Sequence, residues 1–262
     1  MFFEQALAIS KEIRDPSLEG RTLISLGGVQ IDLGNYSKGL EYLEQALSIR
    51  KSIGDRRGEG VALDSLGRVY NEMGQSEKAV QYFEKALVID QAVGDRGLEG
   101  WTLHNLGWTY NRLGQYIKAK AYLEQALDIH QEVGNRRGEC RTTRDLGKSS
   151  NMLGQKEQAL AYYKRALLIA EEIQDPFGKA TTLQNAALVF VDQKQYDVAL
   201  SCLLIAKQIF DQIHSPYSAD TQKWIDTLHK TIGEDNFAAL LTGVEPQAEH
   251  IVDQALQDGI RN

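Results

Sequence analysis

Asn71, Asn111 and Asn151 stand 40 residues apart, and Asn105 and Asn185 share a second position two such steps apart. A primary amide carries two donors and an acceptor. A row of amides can therefore pair with the N–H and C=O groups of an extended peptide without reading its side chains. Asparagine is also a poor residue inside a helix, so its recurrence there calls for a reason. The alternative is local: amides that face water or bond to their own turn. Around this row lie Arg68, Arg112, Arg141, Arg144 and Lys148, interleaved with Trp101, His104 and Trp108. Such a patch offers charge-assisted hydrogen bonds to carboxylates and an aromatic surface for an apolar anchor. Its alternative is a solvated helix face, with Arg144 neutralised by Asp145 or by nearby glutamates.

Nothing comparable points to catalysis. The five histidines, His104, His130, His214, His229 and His250, show no metal-ligand spacing, and neither Cys140 nor Cys202 has a ligating or redox partner nearby. The chain contains no Gly-rich phosphate loop, nucleophile elbow or paired-carboxylate arrangement. The expectation is a non-enzyme without cofactor or metal, acting on a protein or peptide partner.

The elements that must position these residues repeat. Leu26-Gly27, Leu66-Gly67, Leu106-Gly107 and Leu146-Gly147 recur every 40 residues, and Ala186-Ala187 keeps the register. Leu33-Gly34, Met73-Gly74, Leu113-Gly114 and Leu153-Gly154 form a second marker, and Ala6, Ala46, Ala86, Ala126, Ala166 and Ala206 a third. A fixed period over most of a chain is the signature of a repeat array. Each cell reads as two helices. Asp55 can cap the first, after Gly54 has ended the previous helix in the left-handed region. Asp15-Pro16, Asp175-Pro176 and Ser215-Pro216 repeat that start, with proline tolerated at the first helical position. Gly74-Gln75 makes the turn, and Ala79, Val80, Phe83, Ala86 and Leu87 form one face of the second helix. Tyr42, Tyr82, Tyr122 and Tyr162 recur there as packing residues. The glycines within the first helix and the alanines within the second let the pair approach closely.

This predicts an all-α fold with full cells at about 15–54, 55–94, 95–134, 135–174 and 175–214. Residues 1–14 read as the second helix of an incomplete repeat, leaving Phe2, Phe3, Leu7 and Ile9 as an apolar stripe for another chain to cover. Residues 215–262 read as degenerate capping helices. They hold eight acids against three bases, a net of −5 out of the chain's −7, which would keep an open end soluble. Neither part has the broad basic face that nucleic acid requires. No run approaches the roughly 18 apolar residues of a membrane span. The first residues lack the pattern of a secretion signal. Two cysteines in different cells read as reduced thiols, and the expected location is the cytoplasm.

The pattern Leu-Gly-x-x-Tyr, Leu-Gly-Gln-Tyr, Ala-x-x-Tyr-x-x-x-Ala-Leu, best kept in cells two to four, resembles the tetratricopeptide repeat. The usual unit has 34 residues. Here the linker Gly-Asp-Arg-Arg-Gly-Glu-Gly (54–60) extends the cell to 40, which is similar to the repeats of a cell-polarity adaptor, of kinesin light chains and of many bacterial members. The resemblance implies a right-handed superhelical solenoid whose first helices line a concave groove for a partner peptide or helix. On that implication the groove positions are Arg21; Asp64, Ser65, Arg68 and Asn71; Trp101, His104, Asn105, Trp108, Asn111 and Arg112; Arg141, Arg144, Asp145, Lys148 and Asn151; and Gln184 and Asn185. The basic and aromatic set suggests an acidic partner segment with an apolar anchor. Ile24 and Gly28 occupy positions where related chaperone-binding repeats carry a carboxylate clamp, so recognition of a free C-terminal carboxylate is not expected. Two other readings stay open: self-assembly through residues 1–14, and a regulator gated by a short peptide.

Overall fold

Five acidic or amide side chains start five helices in the same way. Asp15, Asp55, Asp95, Asn135 and Asp175 each accept a hydrogen bond from the backbone N–H three residues on, at 2.8–3.0 Å. Each thereby satisfies one of the N–H groups that a helix start leaves without an internal partner. The computed structural model describes residues 2–258. Met1, the side chains of Phe3, Gln257 and Asp258, and residues 259–262 of the expected cap lie outside the described residues.

The chain forms two compact units, Met1–Val133 and Gly134–Asn262. The first holds α1 (Phe2–Glu12), α2 (Pro16–Asp32), α3 (Tyr36–Ser52), α4 (Arg56–Glu72), α5 (Ser76–Val93), α6 (Arg96–Arg112) and α7 (Tyr116–Glu132). The second holds α8 (Arg136–Met152), α9 (Lys156–Glu172), α10 (Pro176–Asp192), α11 (Tyr196–Gln212), α12 (Tyr217–Ile232), α13 (Glu234–Val244), a short 3-10 turn (Glu245–Gln247) and α14 (Ala248–Asp258). No strand occurs among the described residues. The architecture is all-α, as the period predicts.

Helices pair as hairpins: α2 with α3, α4 with α5 and α6 with α7 in the first unit, α8 with α9 and α10 with α11 in the second. The first helices of successive hairpins also touch, α2 on α4, α4 on α6, and α8 on α10, whereas successive second helices share no comparable contact. Within each unit the first helices therefore lie on the inner, tighter side. Turn glycines at Gly34, Gly54, Gly74, Gly94, Gly114, Gly134 and Gly154 take φ of +68° to +78°, and Arg14, Gln174, Lys194 and His214 hold the same left-handed region at +53° to +60°. The Ser215 cap does not form as expected. Helix α12 begins after Pro216, and Ser215 Oγ reaches only the Tyr217 N–H, at 3.4 Å.

Two contacts set the hairpin spacing. Gly27, Gly67, Gly107 and Gly147 lie against the rings or branched ends of Leu43, Phe83, Leu123 and Tyr163, where a Cβ would come within 2.5–2.6 Å of a side-chain atom. Further along, Gly20 faces Arg50, Gly60 faces Asp90 and Gly100 faces His130. In the next cell the facing pair becomes Cys140 and Ala170, in one buried cluster with Ile169. A large side chain on the second helix is met by glycine on the first, and a small one by a larger residue. Arg50 is buried and bonds Asp55 at 2.6 Å, Asp90 accepts from Thr102 at 2.7 Å, and His130 meets Trp101 edge-on at 5.0 Å.

The cell junctions are also tied by charge. Arg96 pairs with Glu99 at 2.5 Å and with Glu132 at 2.6 Å. Arg136 repeats this with Glu139 at 2.5 Å and with Glu172. The guanidinium hydrogen bonds hold Glu132 and Glu172 below the usual carboxylate range. The tyrosines pack as expected: Tyr82 stacks on Tyr70 and Tyr122 on Tyr110, with ring centroids 5.1 and 5.4 Å apart.

Candidate functional site on the inner helix faces

In the first unit the inner face is built by α2, α4 and α6. Asn105 Nδ2 donates to Asp64 Oδ1 at 2.8 Å, joining α6 to α4 at the half-buried centre of this face. Burial pushes the Asp64 carboxyl up to about 6, while the Asn105 hydrogen bond and the charge of Arg68 pull it down. Arg68 is exposed. Trp101 and Trp108 are half-buried. Trp101 stands edge-on to His104 at 5.7 Å, and the Arg112 guanidinium lies over the Trp108 ring, 5.0 Å from its centroid. That geometry fixes a flat aromatic surface with a cation on top of it.

The asparagine row does not lie open. Asn71 is fully buried, and its Nδ2 donates to Thr109 Oγ1 at 2.6 Å. Thr109 in turn donates to the Asn105 carbonyl at 2.6 Å. Asn71 thus knits α4 to α6. Asn111 and His104 are buried as well, and Asn151 is half-buried. A fully buried amide cannot meet a peptide without displacing a helix, so Asn71 serves the spacing between α4 and α6, and the buried Asn111 amide is likewise withdrawn from the surface. Of the row, Asn105, Asn151 and Asn185 retain partial exposure.

In the second unit, α8 presents Arg137, Arg141, Arg144 and Lys148 at spacings of four, three and four, which places them on one helical stripe. Arg137 was not among the expected positions, although the spacing was readable. Arg144 Nη1 donates to Thr181 on α10 at 3.0 Å, and its Nε lies 3.5 Å from Asp145. Burial and the neighbouring Arg144 both weigh against the charge on Arg141, while Asp175 supports it. A guanidinium stays protonated in such a setting. The result is four basic side chains on one face of α8, with Arg144 engaged by Asp145 and Thr181. Asn185, half-buried on α10, lines a cleft towards α12.

Burial pushes the Cys140 thiol up to about 11 and that of Cys202 to about 12, away from the nucleophilic thiolate. Among the described residues no group of His, Cys, Asp or Glu could hold a metal ion, and no helix is long and apolar enough to cross a membrane.

The raised Asp64 pKa has a measurable consequence. Its value rises from 3.8 to about 6 on folding, so its contribution to stability is fully present below about pH 4. That contribution is lost as pH climbs through about 6. Asp64→Asn keeps an oxygen for Asn105 and removes the titration. Thermal melts across this range should show the variant equal to the parent near pH 4 and more stable above pH 7. Asp90, also raised by burial, keeps a residual slope in both proteins.

The tetratricopeptide-repeat family model matches residues 18–92, 58–132, 99–172 and 138–212. No curated protein matches the sequence. Among solved structures, the fold is similar to BtubC from P. vanneervenii, with a TM-score of 0.68, 20% identity, and coverage of 81% of this chain and 88% of that one. It is similar to a signal-transduction ATPase with a tetratricopeptide-repeat sensor from Pyrococcus horikoshii, with a TM-score of 0.72 and 19% identity over 98% of this chain and 41% of that one. It is also similar to a Rap protein complexed with competence and sporulation factor, with a TM-score of 0.66 and 16% identity over 91% and 69% of the two chains. At these identities the likeness is one of fold. The family matches together run from residue 18 to residue 212, over hairpins whose caps, turn glycines and glycine-to-ring contacts recur with the same period, and the chain belongs to the tetratricopeptide-repeat family.

Proposed function

We propose that this protein is a non-catalytic interaction scaffold whose inner helix faces hold an acidic segment of a partner protein. The observation that carries this reading is the α8 stripe of Arg137, Arg141, Arg144 and Lys148 in a chain of net charge −7. Cations gathered on one face of an acidic protein select acidic partners and speed their encounter. Beside the stripe, Asn151 and Asn185 add amides within the same unit; in the first unit Arg68, Trp101, Asn105, Trp108 and Arg112 form a candidate contact surface of its own. The reading takes no cofactor, nucleic acid or membrane, places the protein in the cytoplasm, and makes α12–α14 the cap of the array. The Rap neighbour, solved in complex with competence and sporulation factor, lends the fold-level precedent of a bound partner.

The test is binding of fluorescein-labelled acidic peptides to the parent and to Arg141→Glu/Lys148→Glu, followed by anisotropy at low and physiological salt. Parent binding that weakens with salt and falls at least tenfold in the double variant supports the reading. Equal affinity for both proteins refutes it. Lys85→Glu, on the second helix α5, is the charge control.

A second reading rests on α1. Phe2 and Ile9 are exposed on it and Ile13 just beyond its end, so this segment offers an apolar face to another copy. Light scattering of the full chain and of a form lacking residues 1–14 tests it, with an oligomer lost on deletion as the supporting result.

A further inference from the structure

Helices α10 and α12 leave a cleft of about 480 Å³ between them in the second unit. Its wall is aromatic and aliphatic: Leu188 is half-buried, while Tyr217 and Trp224 keep 46% and 43% of their surface exposed. The two helices are linked beside it by Gln184 Nε2, which reaches Thr221 Oγ1 at 3.5 Å. The half-exposed Asn185 amide lines the same cleft, and no hydrogen bond from its side chain is formed among the described residues. Asp220 and Lys223 also line the cleft, and they pair with each other at 2.7 Å, so its lining carries no net charge. A partly aromatic cleft of no net charge with an amide at its edge suits an apolar side chain whose own backbone can be held by that amide.

The cleft does not stand alone. Helix α8 packs on α10 through the Arg144–Thr181 hydrogen bond, so the inner face of this unit runs from a basic stripe, over a polar step, to an apolar cleft. We infer that the α10–α12 cleft is the anchor pocket for a leucine-like or aromatic residue of the partner segment, whose acidic residues lie on the α8 stripe. The inference rests on the acidic-partner reading above and adds the composition and spacing of the segment. Crossing one to two helix spacings of about 10 Å takes an extended peptide about three to six residues. The occupant is a protein segment with an acidic cluster separated from a single bulky apolar residue by that distance. The charge of the stripe and the neutrality of the cleft select it over a uniformly acidic chain.

The probes are fluorescein-labelled peptides of three acidic residues, a Gly-Ser spacer of two, four or six residues, and a terminal leucine, made in both chain directions, with alanine-ended controls. They are titrated into the full chain, into Trp224→Ala and into Arg141→Glu/Lys148→Glu. Fluorotryptophan labelling gives a second readout on the parent itself, the Trp224 resonance being assigned by Trp224→Phe. The expected result is tightest binding at the four-residue spacer, a loss of about tenfold on removing either the leucine or the Trp224 ring, and a shift of the Trp224 resonance only with leucine-ended peptides. If leucine- and alanine-ended peptides bind alike and the Trp224 resonance stays still, while the charge-reversed variant still loses binding, the anchor assignment fails and the acidic-partner reading stands. If no peptide binds up to about 1 mM, the weak end of specific affinity, both are overturned.

Discussion

Gly107→Val is expected to destabilise the first unit by about 3 kcal/mol and to lower its melting transition by on the order of 10 °C. Gly107 sits inside α6, where glycine alone would cost the helix about 1 kcal/mol against alanine. The cause is across the hairpin. A Cβ at this position would lie 2.5 Å from Leu123 Cγ, and also 3.0 Å from the carbonyl oxygen of Ala119. The leucine can change rotamer, but the carbonyl belongs to α7 and moves only if the helix moves. Valine adds two methyls to that collision and cannot rotate out of it. Gly28→Ala is the matched control. Gly28 also lies inside a helix, α2, but a Cβ there meets nothing within 4 Å. Its replacement removes the entropic cost of glycine without a clash and should stabilise by up to about 1 kcal/mol. Thermal and urea unfolding followed by circular dichroism read both. Equal effects in the two variants would mean that hairpin spacing is not set by these glycines.

Arg50→Ala is the second large expected effect, a loss of about 3–5 kcal/mol from the first unit. Arg50 is buried at the end of α3, with its Nη1 2.6 Å from Asp55 Oδ2, and its side chain lies against Gly20 and Gly58. Truncation leaves a cavity where the stem was and removes the cation from an aspartate that also caps α4. Arg50→Met separates the two causes. It refills the space and leaves only the charge loss, so about half of the stability should return. If the methionine variant is as unstable as the alanine variant, the ion pair dominates over packing. If both match the parent, Arg50 is dispensable to this junction.

The repeat was legible because every element that makes it depends on short-range chemistry. A cap bonds three residues away, a turn glycine acts on its own φ, and an apolar face is a matter of spacing along one helix. What stayed hidden depends on partners a whole cell away. Asn71 reads as an accessible amide until Thr109, on the next first helix, accepts its hydrogen bond. The same distance separates Asn105 from Asp64, so the carboxyl with the most displaced pKa on the inner face looked like an ordinary surface acid. Arg137 was missed for a different reason. It lies two residues after the cap residue Asn135 and read as part of the linker, although its four-residue offset from Arg141 places it on the basic stripe. Trp224 lies in the stretch read only as capping helices, because a cleft between α10 and α12 has no signature in either helix alone.

The mutually fitted residues at the hairpin base also bear on how such a chain assembles. A sequence that says nearly the same thing every 40 residues offers each helix several wrong neighbours during synthesis and refolding. Backbone and apolar faces do little to discriminate among them. Arg50 opposite Gly20, Asp90 opposite Gly60, His130 opposite Gly100, and Ala170 grouped with Cys140 give each cell its own key. Setting α3 against the first helix of the fourth cell would drive a guanidinium into Cys140, and setting α9 against α2 would leave a void beside Gly20. The side chains that differ most between cells therefore carry the serial order of the array, while those that agree carry its shape.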